Sequence, residues 1–319
     1  MRLLEGFDAL DQADLARHGD TTEGRSAVAV GVFDGVHLGH LRLLQELLEL
    51  ASETHALPTV VTFRDHPDAV IRGTAPEPIV SLPHRLRMLR RAGVRRVLLL
   101  DFDERVRALS AVEFTDRVLV RGLQTKGLLL GFDSAIGRDR EGTPQLLRTL
   151  GERHGFVVRE AQPFFVDGQR VSSTAIRAAI RAGDLALSQR LLGRWPSTFG
   201  TVEHGAGRGK GLGFATANLA PQSCVLPPRG VYAVEVIHDG ETFAGVANLG
   251  ARPTFADASP APASTLEVHL LDWSGDLYGS TLEVCFVRRL RDERKFQDGD
   301  ALSRQIRADI AHAREVFAS

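Results

Sequence analysis

The stretch Gly31-Val-Phe-Asp-Gly-Val-His-Leu-Gly-His40 decides how the first half of the chain folds. Before it, Ser26-Ala-Val-Ala-Val30 is a short apolar run with β-branched residues. After it, residues 41–51 carry leucines at helical spacing. The order is strand, glycine-punctuated turn, helix. A helix opening near Leu38 aims unpaired N–H groups and its positive dipole end at the turn, which makes a ready anion site. His37 and His40 are three residues apart and share one helical face. Two imidazoles there can donate hydrogen bonds to a phosphate whose charge is developing. The bland alternative is a structural turn with two surface histidines. Two histidines at this spacing beside three glycines favour phosphate chemistry.

Outward from this stretch, strand and helix patterns alternate. Residues 58–63, 94–100, 128–130 and 156–160 read as further strands. Helices are expected over 78–91, opening near Ser81, over 111–121 with Ser110 as cap, and over 143–154. This alternation implies a parallel sheet flanked by helices. Ligands of such sheets sit at the carboxyl ends of the strands, near a switch point. Polar residues gather there, in 34–40, 62–66, 133–138 and 172–177. In Val171-Ser-Ser-Thr-Ala-Ile-Arg177, Ser172, Ser173 and Thr174 look like a capped helix start. Their hydroxyls and the fresh N–H groups can hold a triphosphate, and Arg177, one turn in, can neutralise it.

At 319 residues the chain is long enough for two domains. A formal charge of −1 leaves no overall basic field to attract nucleic acid. The basic run over residues 85–96 is mixed with leucines and reads as a solvated helix face. Cys224 and Cys285 form no C-x-x-C, which fits a reducing cytoplasm without disulfides or a thiolate zinc site. Residues 1–20 carry charges throughout, so no secretory signal is expected. No apolar run approaches the length of a membrane span. The expected setting is cytoplasmic, with no nucleic acid or membrane partner and at most a weak homo-oligomer.

The second half has a different texture. Residues 179–194 read as helices broken at Gly183-Asp184, and Trp195-Pro196 stops the pattern. The boundary is placed near residue 186, giving domains 1–186 and 187–319. Short strand patterns follow over 197–202, 231–238, 242–248, 265–271 and 280–290, with turn signals at Asp239-Gly240 and Ser274-Gly-Asp276. They imply a small β-barrel, closed by an amphipathic helix over 302–317. The stretch His204-Gly-Ala-Gly-Arg-Gly-Lys-Gly-Leu-Gly-Phe-Ala-Thr-Ala-Asn218 holds five glycines in the nine residues 205–213. Gly207, Gly209, Lys210, Gly211 and Gly213 are candidates to cradle phosphates through the backbone. It is not a Walker A loop: His204 stands at its first glycine, and Gly211 follows Lys210. A flexible loop is the bland reading. Thr216 and Asn218, two apart on an extended segment, point the same way and offer hard oxygen ligands suited to Mg²⁺.

These motifs resemble those of a known family. Residues 31–40 resemble the G-x-F-D-G-x-H-x-G-H signature of the HxGH nucleotidylyltransferases, and 171–177 resemble its partner, I-S-S-T-x-x-R. Together they look like the adenylyltransferase half of the bacterial bifunctional riboflavin kinase/FAD synthetases. The family's T-F-x-P-H-P segment reads Thr62-Phe-Arg-Asp-His-Pro67 here, with Asp65 in place of proline. Its G-x-[DN]-F-x-F-G segment reads Gly131-Phe-Asp-Ser-Ala-Ile-Gly137, with Ser134 and Ile136 where the family has phenylalanines. Residues 204–218 resemble the G-x-P-T-A-N motif of riboflavin kinases, with Ala215 in place of proline. Residues 248–255 resemble N-x-G-x-R-P-T-F, and Thr265-Leu-Glu-Val-His-Leu-Leu-Asp272 and residues 276–279 and 290–296 resemble further segments.

The resemblance implies an α/β fold plus β-barrel: an N-terminal Rossmann-like parallel sheet and a C-terminal barrel of the riboflavin kinase type. It implies that riboflavin is phosphorylated by ATP to FMN in the barrel, and that FMN is adenylylated by ATP to FAD in the N-terminal half. Glu267 is then the general base of the kinase, and His37, His40 and Arg177 act in adenylyl transfer. Gly31, Phe33, Asp34 and Gly39 belong with Ser172, Ser173 and Thr174 to the nucleotide site. Thr62, His66, Asp133 and Arg291 are placed near flavin, and Thr216 and Asn218 hold Mg²⁺. Two alternatives stand beside this reading. One is a kinase whose adenylyltransferase half is degenerate at Asp65, Ser134 and Ile136. The other is a flavin-binding regulator without turnover.

Overall fold

The computed structural model describes residues 1–12, 24–132, 134–203, 214, 216–219, 221–222, 224–251 and 264–318. They fall into two compact units, Met1–Pro78 with Leu82–Ser173, and Ile79–Ser81 with Thr174–Ser319.

In the first unit, strands β1 (Arg2–Glu5), β2 (Ser26–Val30), β3 (Leu57–Phe63), β4 (Arg96–Leu100), β5 (Thr125–Leu130) and β6 (Val157–Glu160) form one sheet. Its order is β1-β4-β3-β2-β5-β6. Every neighbouring pair is parallel. Val28, Val60, Val61, Val97 and Leu98 are wholly buried, as expected of strands covered on both faces. The helices of this unit are α1 (Asp8–Gln12), α2 (Leu38–Glu53), α3 (Asp68–Ile71), α4 (Leu82–Arg91), α5 (Glu104–Ala108), α6 (Ala111–Phe114) and α7 (Pro144–His154). The chain continues past α6 as a π-helical segment, Thr115–Gly122.

Local chemistry explains these boundaries. Leu44, Leu47, Leu50 and Ala51 form the buried stripe of α2. Ser110 and Glu113 make a capping box at α6. Thr143 caps α7, Pro144 opens it, and Gly155 ends it in the left-handed region. Because β3 lies on one side of β2 and β5 on the other, the carboxyl ends of β2 and β5 part at a switch point. A hairpin of β7 (Phe165–Val166) and β8 (Gln169–Arg170) follows β6. Its turn residues Asp167 and Gly168 both have positive φ, as a two-residue hairpin loop requires.

The division between the units falls in the first turn of α8 (Ser173–Ala182), and α9 (Leu185–Leu192) comes next. Strands β9 (Ser197–Glu203), β10 (Ala217–Leu219), β11 (Gly230–His238), β12 (Glu241–Ala251), β13 (Ser264–Leu270) and β14 (Thr281–Arg291) close into a barrel. Its order is β10-β13-β12-β11-β14-β9, with antiparallel neighbours. Tyr232 and Phe286 meet edge to face at 5.3 Å in its core. Helix α10 (Gly299–Ala318) lays Ala313 and Val316 against Val231, Ala233 and Val246. The expected α/β sheet and closing-helix barrel are both present.

One expectation is corrected. The basic run 85–96 is not a solvated face throughout, because Arg85 is 6% exposed and Arg96 1%. Arg96 donates to Ser26 Oγ at 2.7 Å, and burial, with Arg2 nearby, pushes its pKa down to about 10. Arg85 reaches backbone carbonyls at the strand ends.

Candidate functional site

The carboxyl end of β2 opens into a cavity of about 270 Å³. Of the sequence-predicted residues, Gly31, Phe33, His37, Gly39, His40, Ser172 and Ser173 line it. The turn that leads in is unusual. Phe33, Gly35 and Val36 all have positive φ, at 55°, 78° and 36°. A β-branched residue there is rare, and such conformations concentrate at functional sites. The turn hands the chain to α2, whose N-cap is His37. His37 Nδ1 accepts the His40 backbone N–H at 3.2 Å. The neutral ring therefore carries its proton on Nε2, as a donor. The His37 and His40 rings stack at 3.6 Å with 12° between planes, and Phe33 lies 5.1 Å from His40. Asp34 is buried, and its carbonyl accepts Ser173 Oγ at 3.0 Å. The far walls come from Gly131, Phe132 and Ser134 after β5, and from Phe164 and Arg170. Arg170 lies over the Phe132 ring at 4.7 Å, an aromatic contact that was not predicted. Such an arrangement suits an anion held by helix N–H groups and an imidazole donor.

Beside this cavity, β3 ends in the segment expected to meet flavin. Thr62 is wholly buried and donates to Val32 O at 3.0 Å. His66 is half-buried, and its Nδ1 accepts the Asp68 N–H at 3.2 Å. Arg85 of α4 donates to Val32 O at 2.8 Å, to Phe63 O and to Arg64 O. Burial lowers its pKa, and the charges of Asp34 and Asp65 oppose the shift. Sequence reasoning missed Arg85, since nothing local marks an arginine that will reach strand-end carbonyls. Thr174 and Arg177 belong to the second unit, where Arg177 is buried. Asp133 lies outside the described residues, as do Gly207, Gly209, Lys210, Gly211 and Gly213.

On the barrel, register brings three polar residues abreast. Asn218 of β10 pairs with Glu267 of β13, which pairs with Asn248 of β12. Paired residues point to one face, so the three side chains stand in a row. Leu266 and Val268 alternate into the core, leaving Glu267 exposed. Thr216 and His269 are two residues from Asn218 and Glu267, and the Phe214 ring meets His269 edge-on at 5.9 Å. A hydroxyl, an amide oxygen and a carboxylate are hard donors that suit Mg²⁺. The described residues hold no cluster of three or more His, Cys, Asp or Glu able to bind a metal alone. Such a face fits Mg²⁺ shared with substrate phosphates. Glu293, not singled out from the sequence, borders the row: a Cβ added at Gly250 would lie 2.6 Å from its Oε1. Gly250 lies two residues past the strand pattern read from the sequence, so no local signal marked this contact. Arg291 grips Asp309 of α10 through Nε at 2.9 Å and Nη2 at 2.8 Å. Its guanidinium also lies 5.7 Å from the Phe296 ring.

Comparison with known proteins matches both halves. Residues 20–175 match a family model described as FAD synthetase, and residues 192–317 one described as riboflavin kinase. A bifunctional riboflavin kinase/FMN adenylyltransferase from Pseudomonas fluorescens is 44% identical over 308 residues, covering 94% of this chain and 96% of that protein. The protein of that name from Escherichia coli K12 is 40% identical over 319 residues, covering 99% and 98%. A solved chain from Streptococcus pneumoniae, described as a macrolide-efflux protein, has a TM-score of 0.84 and 29% identity, covering 98% of this chain and 99% of that one. Among the described residues, no helix is long and apolar enough to cross a membrane.

Proposed function

From the premise that the chain belongs to the bifunctional riboflavin kinase/FMN adenylyltransferase family, we propose which residues run its two reactions. The chain phosphorylates riboflavin with ATP to give FMN, then joins FMN to an adenylyl group from a second ATP. We assign the kinase to residues 187–319 and the adenylyltransferase to 1–186.

In the kinase, Glu267 takes the proton of the riboflavin 5′-hydroxyl. The hydroxyl oxygen bonds to the γ-phosphorus of ATP, the bond to the β-bridging oxygen breaks, and ADP leaves with that electron pair. The row Asn218–Glu267–Asn248 supports this reading, because it sets a carboxylate directly beside an amide oxygen. Thr216 and Asn218 would hold Mg²⁺, which supplies positive charge against the phosphates. Gly207, Gly209, Lys210, Gly211 and Gly213 cradle the phosphate chain, and Arg291 supports the flavin side by fixing α10.

In the adenylyltransferase, an FMN phosphate oxygen bonds to the α-phosphorus of ATP, and pyrophosphate leaves. A phosphate monoester is already ionised near neutral pH, so this step needs no protein base. His37 Nε2–H and the start of α2 hold the developing charge, with His40, Arg177, Ser172, Ser173 and Thr174 as further donors. Gly31, Phe33, Asp34 and Gly39 shape the nucleotide floor. Thr62, His66 and Asp133 form the FMN side, Thr62 acting through Val32 O. The reading adds no nucleic acid or membrane partner, at most weak self-association, and a cytoplasmic setting. Cys224 and Cys285 are buried and form no disulfide, which supports a reducing compartment, and burial pushes Cys285 up in pKa.

A product assay tests this. Protein is incubated with ATP and Mg²⁺ plus either riboflavin or FMN, and the flavins are separated. Glu267→Ala should abolish FMN formation and leave FAD formation from FMN intact. A His37→Ala/His40→Ala double variant should stop the sequence at FMN. The opposite pattern, or FMN without FAD from the wild-type chain, refutes the assignment.

A further inference from the structure

We propose that Arg85 is a positioning residue for adenylyl transfer: its guanidinium ties the carboxyl ends of β2 and β3 together and so holds the nucleotide-binding turn in register with the FMN segment. The inference rests on the adenylyltransferase reading of the first unit.

Arg85 touches neither side of the cavity wall, yet it bonds to both segments that build the site. Nη1 donates to Val32 O at 2.8 Å, while Nη2 donates to Phe63 O and, at 3.3 Å, to Arg64 O. Val32 lies beyond the end of β2, and Arg64 beyond the end of β3. Past the strand ends, side-chain donors take over from the sheet ladder at these carbonyls. Thr62 Oγ1 supplies Val32 O with its second donor, at 3.0 Å. Immediately after that doubly anchored carbonyl the chain enters the left-handed turn of Phe33, Gly35 and Val36. A turn with a β-branched residue at φ 36° persists only where its surroundings over-determine it. Phe33 then lies 5.1 Å from His40, which stacks on His37 at 3.6 Å. A shift at Val32 O is passed through this packed series to the imidazole donor.

The charge balance points the same way. Arg85 is 6% exposed and is flanked by one acid from each segment it joins, Asp34 and Asp65. Asp65 stands where the family pattern carries proline, and here it helps neutralise the buried cation. Leu89, fully buried in the apolar core beneath the sheet, anchors α4 independently of these polar contacts. The planar fork spans two strand ends, which a compact ammonium group cannot do.

The test is Arg85→Lys in the full chain. FAD formation from FMN is measured against both substrates, with riboflavin phosphorylation and thermal melting as controls. Misplacement of reacting groups by about 1 Å costs about 10²-fold in rate. The expected result is a fall in kcat of that order for adenylyl transfer, with KM for ATP and FMN changed less than about threefold. Riboflavin phosphorylation stays at the wild-type rate. Thr62→Val, acting on the same carbonyl, should lower kcat too, and the double variant should lose less than the product of the two losses. If Arg85→Lys fails to fold, Thr62→Val alone carries the same kcat-against-KM readout. A kcat within about threefold of wild type, or a loss confined to KM, overturns the proposal. A wild-type chain that makes no FAD from FMN removes the adenylyltransferase reading itself, and is recognised by that absence before any variant is compared.

Discussion

Replacing Gly39 by alanine should leave the first unit at least as stable and make it markedly slower. Gly39 is the second residue of α2, and its φ is not in the left-handed region, so alanine adopts the same backbone without strain. Glycine inside a helix costs roughly 0.5–1 kcal/mol against alanine, so stability should hold or rise. The added Cβ, however, would sit 3.3 Å from both Cε1 and Nδ1 of His37 and 3.7 Å from Phe164 Cβ. The ring must give by a few tenths of an ångström. It cannot move toward His40, which already stacks at 3.6 Å, so it slides into the cavity. Its Nδ1 bond from the His40 N–H, at 3.2 Å, then stretches. The methyl also stands where a phosphate would approach the N–H groups at the start of α2. Losing one hydrogen bond to a charged phosphate costs about 1.5–3 kcal/mol, which is roughly 10- to 150-fold. Steady-state FMN adenylylation with varied ATP should show kcat/KM lowered by that amount, with the melting temperature unchanged or higher. Riboflavin phosphorylation in the same preparation should be unaffected. A loss below about threefold would mean that phosphate does not approach this helix end, and a parallel fall in kinase activity would show a global effect.

Three further outcomes follow from other positions. Gly127→Ala would place a Cβ 2.8 Å from Leu50 Cγ between β5 and α2; such overpacking costs about 1–3 kcal/mol and should lower the melting temperature without slowing the kinase. Glu113 is held below its usual value of 4.5 by the Ser110 backbone and hydroxyl, so its contribution is present above pH 4.5 and lost as pH falls through the lowered value; Ser110→Ala should flatten that acid limb in melts between about pH 3 and 6. Asn218→Ala should raise the Mg²⁺ concentration for half-maximal riboflavin phosphorylation by roughly tenfold or more, and leave the Mg²⁺ dependence of FAD formation as it is.

The parts legible in the sequence were those whose physics is local. Gly35, the Ser110 cap and Thr143-Pro144 act on their own neighbours in the chain, and the structure has a turn, a capping box and a helix start at those places. Several barrel strands alternated openly, because one face meets the core, whereas β11 is buried on both faces, against the core and against α10. What stayed hidden depends on partners far along the chain. Arg2-Leu-Leu-Glu5 is too short and too charged to read as a strand, yet parallel pairing with β4 makes it one. Arg85 and Arg96 looked solvated because only the folded sheet brings Val32 O, Phe63 O and Ser26 Oγ to them. Glu293 reaches Gly250 across more than forty residues, and no periodicity carries that contact.

On the proposed assignment, the two sites also differ as their reactions require. Both consume ATP, but the nucleophiles differ in protonation. An alcohol must lose a proton as it attacks, so the kinase needs a carboxylate with access to water or substrate, and Glu267 is exposed on the barrel surface. The FMN phosphate arrives as an anion, so the adenylyltransferase needs donors and no acceptor. There His37 is 6% exposed, with its Nδ1 committed to the His40 N–H and its proton turned to the other nitrogen. A hydrogen bond aimed at developing charge is worth more where water is excluded, which favours burying the donor. Exchanging the arrangements would fail in both places. A buried, unpaired glutamate would resist ionisation and lose strength as a base, while an exposed imidazole would donate to water as readily as to the transition state. On that assignment, the contrast between an exposed acid on the barrel and a buried histidine on the sheet, its Nδ1 held by the His40 N–H, is what two consecutive phosphoryl chemistries on one chain demand.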